Sequence, residues 1–576
     1  WAFRVPSICS AMETINSFKG YGKVDPAENE RFRRKTMRRA AIVVVSAVVL
    51  AAVVVGTVVG TVVHKKNKDV KSPLPPANAV QAICNLTMNP DSCYSSLSLA
   101  NTSDPQSLLK YSLKAAIDGF NGAQDLPSKL AGGVRLSIVN SSLDDCSLLI
   151  RNALDTLNDT VSALDGFDVN QLSSEKVDDL KTWLSSVITD RETCLDSLKE
   201  GNDTRIIDQI KSATQNSTGF VSDALAVVSK VFGVLSKNNR KLLGYESGFS
   251  RWLRDEDRRI LQGNPNPDVT VAADGSGDVK TIKEAVARIP KKSNSRFTIY
   301  IKSGKYAEQI DLPKSAWNVM IYGDGMGKTV ITGSRSVLGD KVTTFQTSTF
   351  SIAGKNFIAK DITFQNTAGA INHQAVAFRT GSDTSVYYRC EFDAYQDTLY
   401  SHSNRQFYSN CKITGTIDFI FGNAAAVFQN CQILPRQPMA NQFNTITAQG
   451  KVDPNQNTGI SIHGSTIAGN GAVTAKTYLG RPWKDYSTTV VMKTVIGGLV
   501  DPTGWTPWVP GVDPPKTIFY GEYMNTGPSS PVGPRVKWSS YYPALTASQA
   551  NKYTVGSFID GKSWIPATSV AFTDSL

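Results

Sequence analysis

Histidine is the scarcest ionisable side chain in this sequence, four in 576 residues, and only His373, His402 and His463 fall in the C-terminal half. No GxSxG segment accompanies them, so a Ser-His-Asp hydrolase has neither its nucleophile elbow nor a placed base. CxxC and HExxH are also absent, and the aspartates are not clustered as calcium ligands are, so the sequence calls for no metal or other cofactor. DGSGD at 274–278 and GDGMG at 323–327 have phosphate-loop glycines without the Gly-Lys-Ser/Thr ending, and they read as turns. The formal charge is +11, but no motif interleaves aromatics with the basic residues, which excludes nucleic acid as a partner. An acidic polymer outside the cell fits the charge better.

Residues 42–63 carry no charge and are apolar over a length that crosses a bilayer as a helix. Six basic residues lie between Arg31 and Arg39, so the positive-inside rule predicts a cytoplasmic stub (1–41), a type II signal anchor (42–63) and a lumenal remainder. A cleaved signal peptide is the alternative. A Pro-rich spacer (64–79) follows. From 80 to 236 apolar residues recur at three- and four-residue steps, which predicts an all-α four-helix bundle. All six Asn-X-Ser/Thr triplets (Asn85, Asn101, Asn140, Asn158, Asn202 and Asn216) lie in it, as expected of a glycosylated, exported domain. Cys84 and Cys93 suit a short clip and Cys146 and Cys194 a tie between two helices, although other pairings remain open. The pattern collapses over 237–264. Two basic tetrads stand there, Arg240-Lys241-Leu242-Leu243 and Arg258-Arg259-Ile260-Leu261, where a processing protease could cut between domains.

From 265 to 576 short β-branched and aromatic runs alternate with Gly, Asn and Asp turns, and helix signal is scarce apart from TIKEAVARIP at 281–290, placed where a solenoid needs a cap. VYYRCEFDAYQDTLY, FYSNCKITGTIDFIF and VFQNCQILPRQ align at intervals of twenty-one and twenty residues, which predicts a mainly β fold, a right-handed parallel β-helix. Its rungs would stack Cys390, Cys411 and Cys431 in one column, within reach of a Cys390–Cys411 bridge. They would also set Asp397 and Asp418, each seven residues after a cysteine, one above the other at the strand spacing of about 4.8 Å. Two carboxyls that close split into an acid and a nucleophile or base. Gln396, beside Asp397, and Gln374, about one repeat earlier, could offer amide donors to an oxyanion. In LGRPW, Arg481 could hold one carboxylate ionised, and Trp483 offers a face for a sugar.

GKYAE at 304–308, HQAVA at 373–377, YQDTLY at 395–400, DFIFGNA at 418–424 and LGRPW at 479–483 resemble, in order, the signature segments of plant pectin methylesterases. The bundle with its four cysteines resembles the pectin methylesterase inhibitor domain that many of them carry as a pro-region. The resemblance implies a carboxylic ester hydrolase of the cell wall that takes methyl esters off pectin. Asp418 would be the nucleophile, Asp397 the proton donor and later base, Gln374 and Gln396 the oxyanion donors, and Arg481 the partner of Asp418. Trp483 and Thr344 would contact substrate. The implied partners are methyl-esterified pectin, a processing protease and inhibitor proteins; the bundle would restrain the enzyme until the linker is cut. Ala370 stands where the family usually has proline. A β-helix pectate lyase or polygalacturonase, and a non-catalytic inhibitor or wall-binding module, are the competing expectations.

Overall fold

The computed structural model describes residues 76–88, 90–134, 136–165, 173–234 and 266–576. The stub, the segment 42–63 and the linker with both basic tetrads lie outside the described residues. Among the described residues no helix is long and apolar enough to cross a membrane.

Side-chain caps set three of the described helix starts in the N-terminal part. After α1 (Pro76–Cys84) and α2 (Pro90–Leu97), joined by the Cys84–Cys93 disulfide, Asp104 accepts the Ser107 N–H and Pro105 opens α3 (Pro105–Ala123). A short α4 (Leu126–Ala131) leads into α5 (Ser137–Ser162). Ser173 caps α6 (Ser174–Gly201), and Asp203 caps α7 (Thr204–Ala226). The four long helices α3, α5, α6 and α7 pack as a bundle, with the Cys146–Cys194 disulfide joining α5 to α6.

Beyond residue 266 the chain winds through three parallel sheets of eleven, seven and eight strands, each strand pairing with one from the preceding and following turn. Val386 pairs with Phe407 and Phe407 with Val427, the twenty-one and twenty residue steps of the sequence repeat. Inside, like residues stack rung on rung: Tyr387 on Tyr408 at 4.5 Å between ring centroids and Tyr408 on Phe428 at 4.4 Å. The solenoid is a parallel β-helix, and its core contains no bundle residue. Helix Ile282–Val286 stands near its first strand, started by a capping box between Thr281 and Glu284. The outer face of the eleven-stranded sheet is also apolar; Val386, Phe407 and Val427 pack there under Val555, Ile559 and Trp564 of the C-terminal segment. Strands buried on both faces lose the in-out alternation of an exposed sheet.

Rungs turn at residues with positive φ. Arg389, Asn410 and Asn430 occupy one corner at φ 50°, 54° and 55°, each just before Cys390, Cys411 and Cys431. The three cysteines stack in a column as expected, but all are free and buried, and the Cys390–Cys411 bridge does not form. In-register parallel strands hold successive Cβ atoms side by side at about 4.8 Å, whereas a disulfide needs about 3.8 Å and converging Cβ vectors. The Cys411 thiol instead donates to Tyr387 O at 3.2 Å.

Pro75–Leu576 form one compact unit in which α5 and α6 lie on the seven-stranded sheet. Val139, Leu143 and Leu198 of the bundle join Phe345, Tyr400 and Phe421 of the β-helix in one apolar cluster.

Candidate active site

Asp397 and Asp418 occupy the corner that leads into the seven-stranded sheet, with φ 63° and 50°. Aspartate tolerates this left-handed conformation better than most residues, so each acid is both the turn residue and a side chain aimed outward. The Asp397 N–H donates to Ile417 O at 3.0 Å, and three residues on Tyr400 pairs with Phe421. The two acids therefore stand on neighbouring rungs in the same register.

Their surroundings differ. Arg481 holds Asp418 in a two-pronged ion pair, Nε to Oδ1 at 2.9 Å and Nη2 to Oδ2 at 2.6 Å. Thr445 adds a brace: its hydroxyl donates to Asp418 Oδ1 at 2.6 Å and accepts the Asp418 N–H at 2.8 Å. No ion pair engages Asp397 among the described residues. Burial, and then the charges of Asp418 and Glu200, push its carboxyl well above the ordinary carboxylate range, with Arg481 opposing. With 8% and 5% of their surfaces exposed, Asp397 and Asp418 thus form a buried carboxyl pair in unlike surroundings, one without an ion pair and one held by Arg481.

The Ala375 N–H donates to Gln396 O at 3.2 Å, which sets Gln374 and Gln396 on adjacent rungs beside the acids. Both side chains are half-buried. Ala370–Asn372 forms a short 3-10 turn just ahead of Gln374. Trp483 lies 6.3 Å from Phe421 between ring centroids, and Thr344 sits in the turn Thr344–Thr347 at the groove wall. Arg481 thus lies on Asp418 and Trp483 beside Phe421, while the backbone sets Gln374 and Gln396 on the rungs next to the acids.

Others went unnoticed in the sequence. Tyr400 and Phe421 stack at 4.2 Å and pave the groove floor. Each follows an acid by three residues, a spacing that repeats as faithfully as the Cys–Asp interval and could have revealed them. Trp508 lies over the Arg481 guanidinium at 4.3 Å, and Thr445 lies far from any motif.

The bundle covers this groove. Glu200 of α6 accepts the Thr344 N–H at 2.8 Å, and its burial lifts its carboxyl to about 7. Asp145 of α5 accepts from the Thr343 hydroxyl at 2.5 Å and from Gln346 Nε2 at 2.8 Å; burial raises it to about 6. Lys484, next to Trp483, pairs with Asp196 at 2.6 Å, and Thr193 bonds His402 at 2.9 Å. Lys314 reaches Asn152 O and the Thr156 hydroxyl.

Five of the six sequon asparagines are exposed. Asn140 is the exception: half-buried in α5, it spends Nδ2, the atom a glycan would take, on Val134 O at 3.3 Å.

A buried acid beside an ion-paired one, at the floor of an aromatic groove on a parallel β-helix, defines a carboxyl-pair hydrolase. The chain belongs to the pectinesterase family, whose profile, described as Pectinesterase, matches residues 268–562. The profile described as plant invertase/pectin methylesterase inhibitor matches residues 78–227. The chain is 54% identical over 586 residues to Pectinesterase 1 of Arabidopsis thaliana, with 97% of this chain and 99% of the relative covered. It is 51% identical over 590 residues to Pectinesterase 3 of Phaseolus vulgaris, with 98% and 100% covered. Among solved structures, pectin methylesterase from carrot is 50% identical with a TM-score of 0.52, covering 55% of this chain and 99% of that one. That share matches the β-helix in length, so the carrot protein has the β-helix without a bundle.

Proposed function

We propose that this protein hydrolyses the methyl esters of pectin, with Asp418 as nucleophile and Asp397 as acid and then base. The observation that carries this reading is the asymmetry of the two acids: Arg481 bidentate on Asp418, burial keeping the proton on Asp397. An Asp418 oxygen attacks the ester carbonyl carbon of a galacturonate unit, and the tetrahedral oxyanion falls to the Gln374 and Gln396 amides. As the bond to methoxide breaks, Asp397 gives it a proton and methanol leaves, with the galacturonyl group joined to Asp418 as an anhydride. Asp397, now ionised, takes a proton from water. The resulting hydroxide attacks the anhydride carbonyl, Asp418 departs as carboxylate, and both acids regain their starting charge. Tyr400, Phe421 and Trp483 offer the flat apolar surface on which a polysaccharide lies.

The test is methanol release from methylated pectin by residues 266–576, set against Asp418→Ala in the same fragment. The wild type should release methanol with little loss of solution viscosity. Equal rates in the two refute the assignment, and viscosity collapse points to chain cleavage instead.

The bundle acts as a built-in inhibitor by occupying the groove, and cutting at Arg240–Leu243 or Arg258–Leu261 in the linker lets it go. This reading is supported by Glu200 on Thr344 and by the apolar cluster that spans both parts. The export route carries the precursor, anchored or signal-bearing through 42–63, to the cell wall, with glycans on Asn85, Asn101, Asn158, Asn202 and Asn216.

A further inference from the structure

The face that carries the two acids continues beyond them toward the N-terminal end of the solenoid, and its outward residues follow from register. Leu399 and Phe378 point into the core, so their neighbours Tyr400 and Arg379, paired with each other, point out. One rung further Arg379 pairs with Ser351, and Ser351 with Asp311. Read along the groove, the row is Phe421, Tyr400, Arg379, Ser351 and Asp311, one residue per rung at about 4.8 Å. A guanidinium thus stands one rung past the aromatic floor, in line with the path of a bound chain.

Arg379 is poorly served by its own domain. It is 8% exposed, its guanidinium lies over the Phe345 ring at 3.5 Å, and its one ionic contact within the β-helix, Nη2 to Asp311 Oδ1, is 3.5 Å long. Its Nε is buried without a hydrogen-bond partner. Leaving a buried donor of a charged group unpaired is costly, so the site is shaped for an acceptor that the β-helix does not supply. What the bundle brings near is carboxyl: Asp145 and Asp190, buried at the interface, both act on the charge of Arg379. Asp145 meets the same groove wall through Thr343 and Gln346.

We propose that Arg379 is a specificity-determining residue that holds the free carboxylate of an already de-esterified galacturonate unit, on the N-terminal side of the unit being hydrolysed. A planar guanidinium with an open Nε edge takes a carboxylate by two parallel hydrogen bonds, and a methyl ester, uncharged and with one oxygen blocked, is a far weaker partner. The mature enzyme then prefers to act beside free acid, and the bundle sets its own carboxyls, Asp145 and Asp190, near the same subsite. This deepens the pectin reading and rests on it.

The test uses residues 266–576 and separates binding from turnover. Calorimetry with an unesterified galacturonate oligomer should show affinity falling about tenfold in Arg379→Gln, the usual worth of a charge-assisted bond. The ratio of kcat/KM on partly de-esterified to fully methylated pectin should fall by a similar factor. An unchanged affinity and ratio, or an equal loss on both substrates, overturns the proposal. Asp311→Asn guards against a folding defect in the first variant. It removes the competing carboxylate, so oligomer affinity should rise, and a fall overturns the proposal. If the parent fragment releases no methanol, the pectin hydrolase reading fails, while the affinity change still decides whether Arg379 reads carboxylates.

Discussion

Docking the bundle onto the β-helix buries carboxyls that would otherwise face water, and this makes the grip of the pro-domain depend on pH. Glu200 rises from an ordinary 4.5 to about 7 and Asp145 from 3.8 to about 6, burial being the chief cause for both. Asp190 and Asp223, each lifted to about 7 by burial, act in the same direction. With these carboxyl pKa values raised in the docked state, association takes up protons at them: their share of the grip is complete below the ordinary values near pH 4 and is lost as pH rises through about 7, while His402, which burial lowers from 6.5 to about 3, gives up a proton on docking and opposes them in the acid range. At about 1.4 kcal/mol per unit, the shifts of Glu200 and Asp145 correspond to a ceiling of roughly 6 kcal/mol. The experiment is to cut the full chain within 235–265 through an inserted protease site and to measure dissociation of the two parts from pH 4 to pH 7. Near pH 5 log Kd should climb with a slope of at least about two protons, and Glu200→Gln should lower the slope by about one. A Kd that is flat, or tightens as pH rises, would refute the reasoning.

Thr445→Val removes both hydrogen bonds that brace Asp418, so kcat on pectin should fall ten- to a hundredfold with KM little changed, and Thr445→Ser should restore most of it. In residues 266–576, Cys390, Cys411 and Cys431 should react with a thiol reagent only after unfolding, and a reductant should leave Tm where it was. Breaking Cys146–Cys194, which spans 48 residues, should cost the bundle about 4 kcal/mol in denaturant unfolding.

The solenoid was legible because its period is written twice, in the cysteine column and in the acids. The corner residues Arg389, Asn410 and Asn430 mark where each rung turns, and asparagine at two of the three is a local signal for positive φ. The C-terminal helices were not legible: Val555 and Trp564 belong to helical segments of four residues, with Ile559 just past the end of the first, and these segments take their shape from the sheet they cover. Repetition also misled, since stacking brings Cys390 and Cys411 close but holds their side chains parallel. At the site, motif residues could be read off, while Thr445 and Trp508 could not, because they arrive from turns at least 27 residues away, with no repeat of their own. The carboxyls of α5 and α6 look in the sequence like any solvated helix face. Only the docked structure reveals that Glu200 lies against Thr344.

The central claim is that one acid of the pair carries the proton while its neighbour attacks, and Asp397→Asn in residues 266–576 addresses it most directly. The substitution keeps shape and removes the proton donor. Methanol release should drop about a thousandfold, with oligogalacturonate affinity and Tm close to those of the parent. A rate within tenfold of the parent would contradict the account.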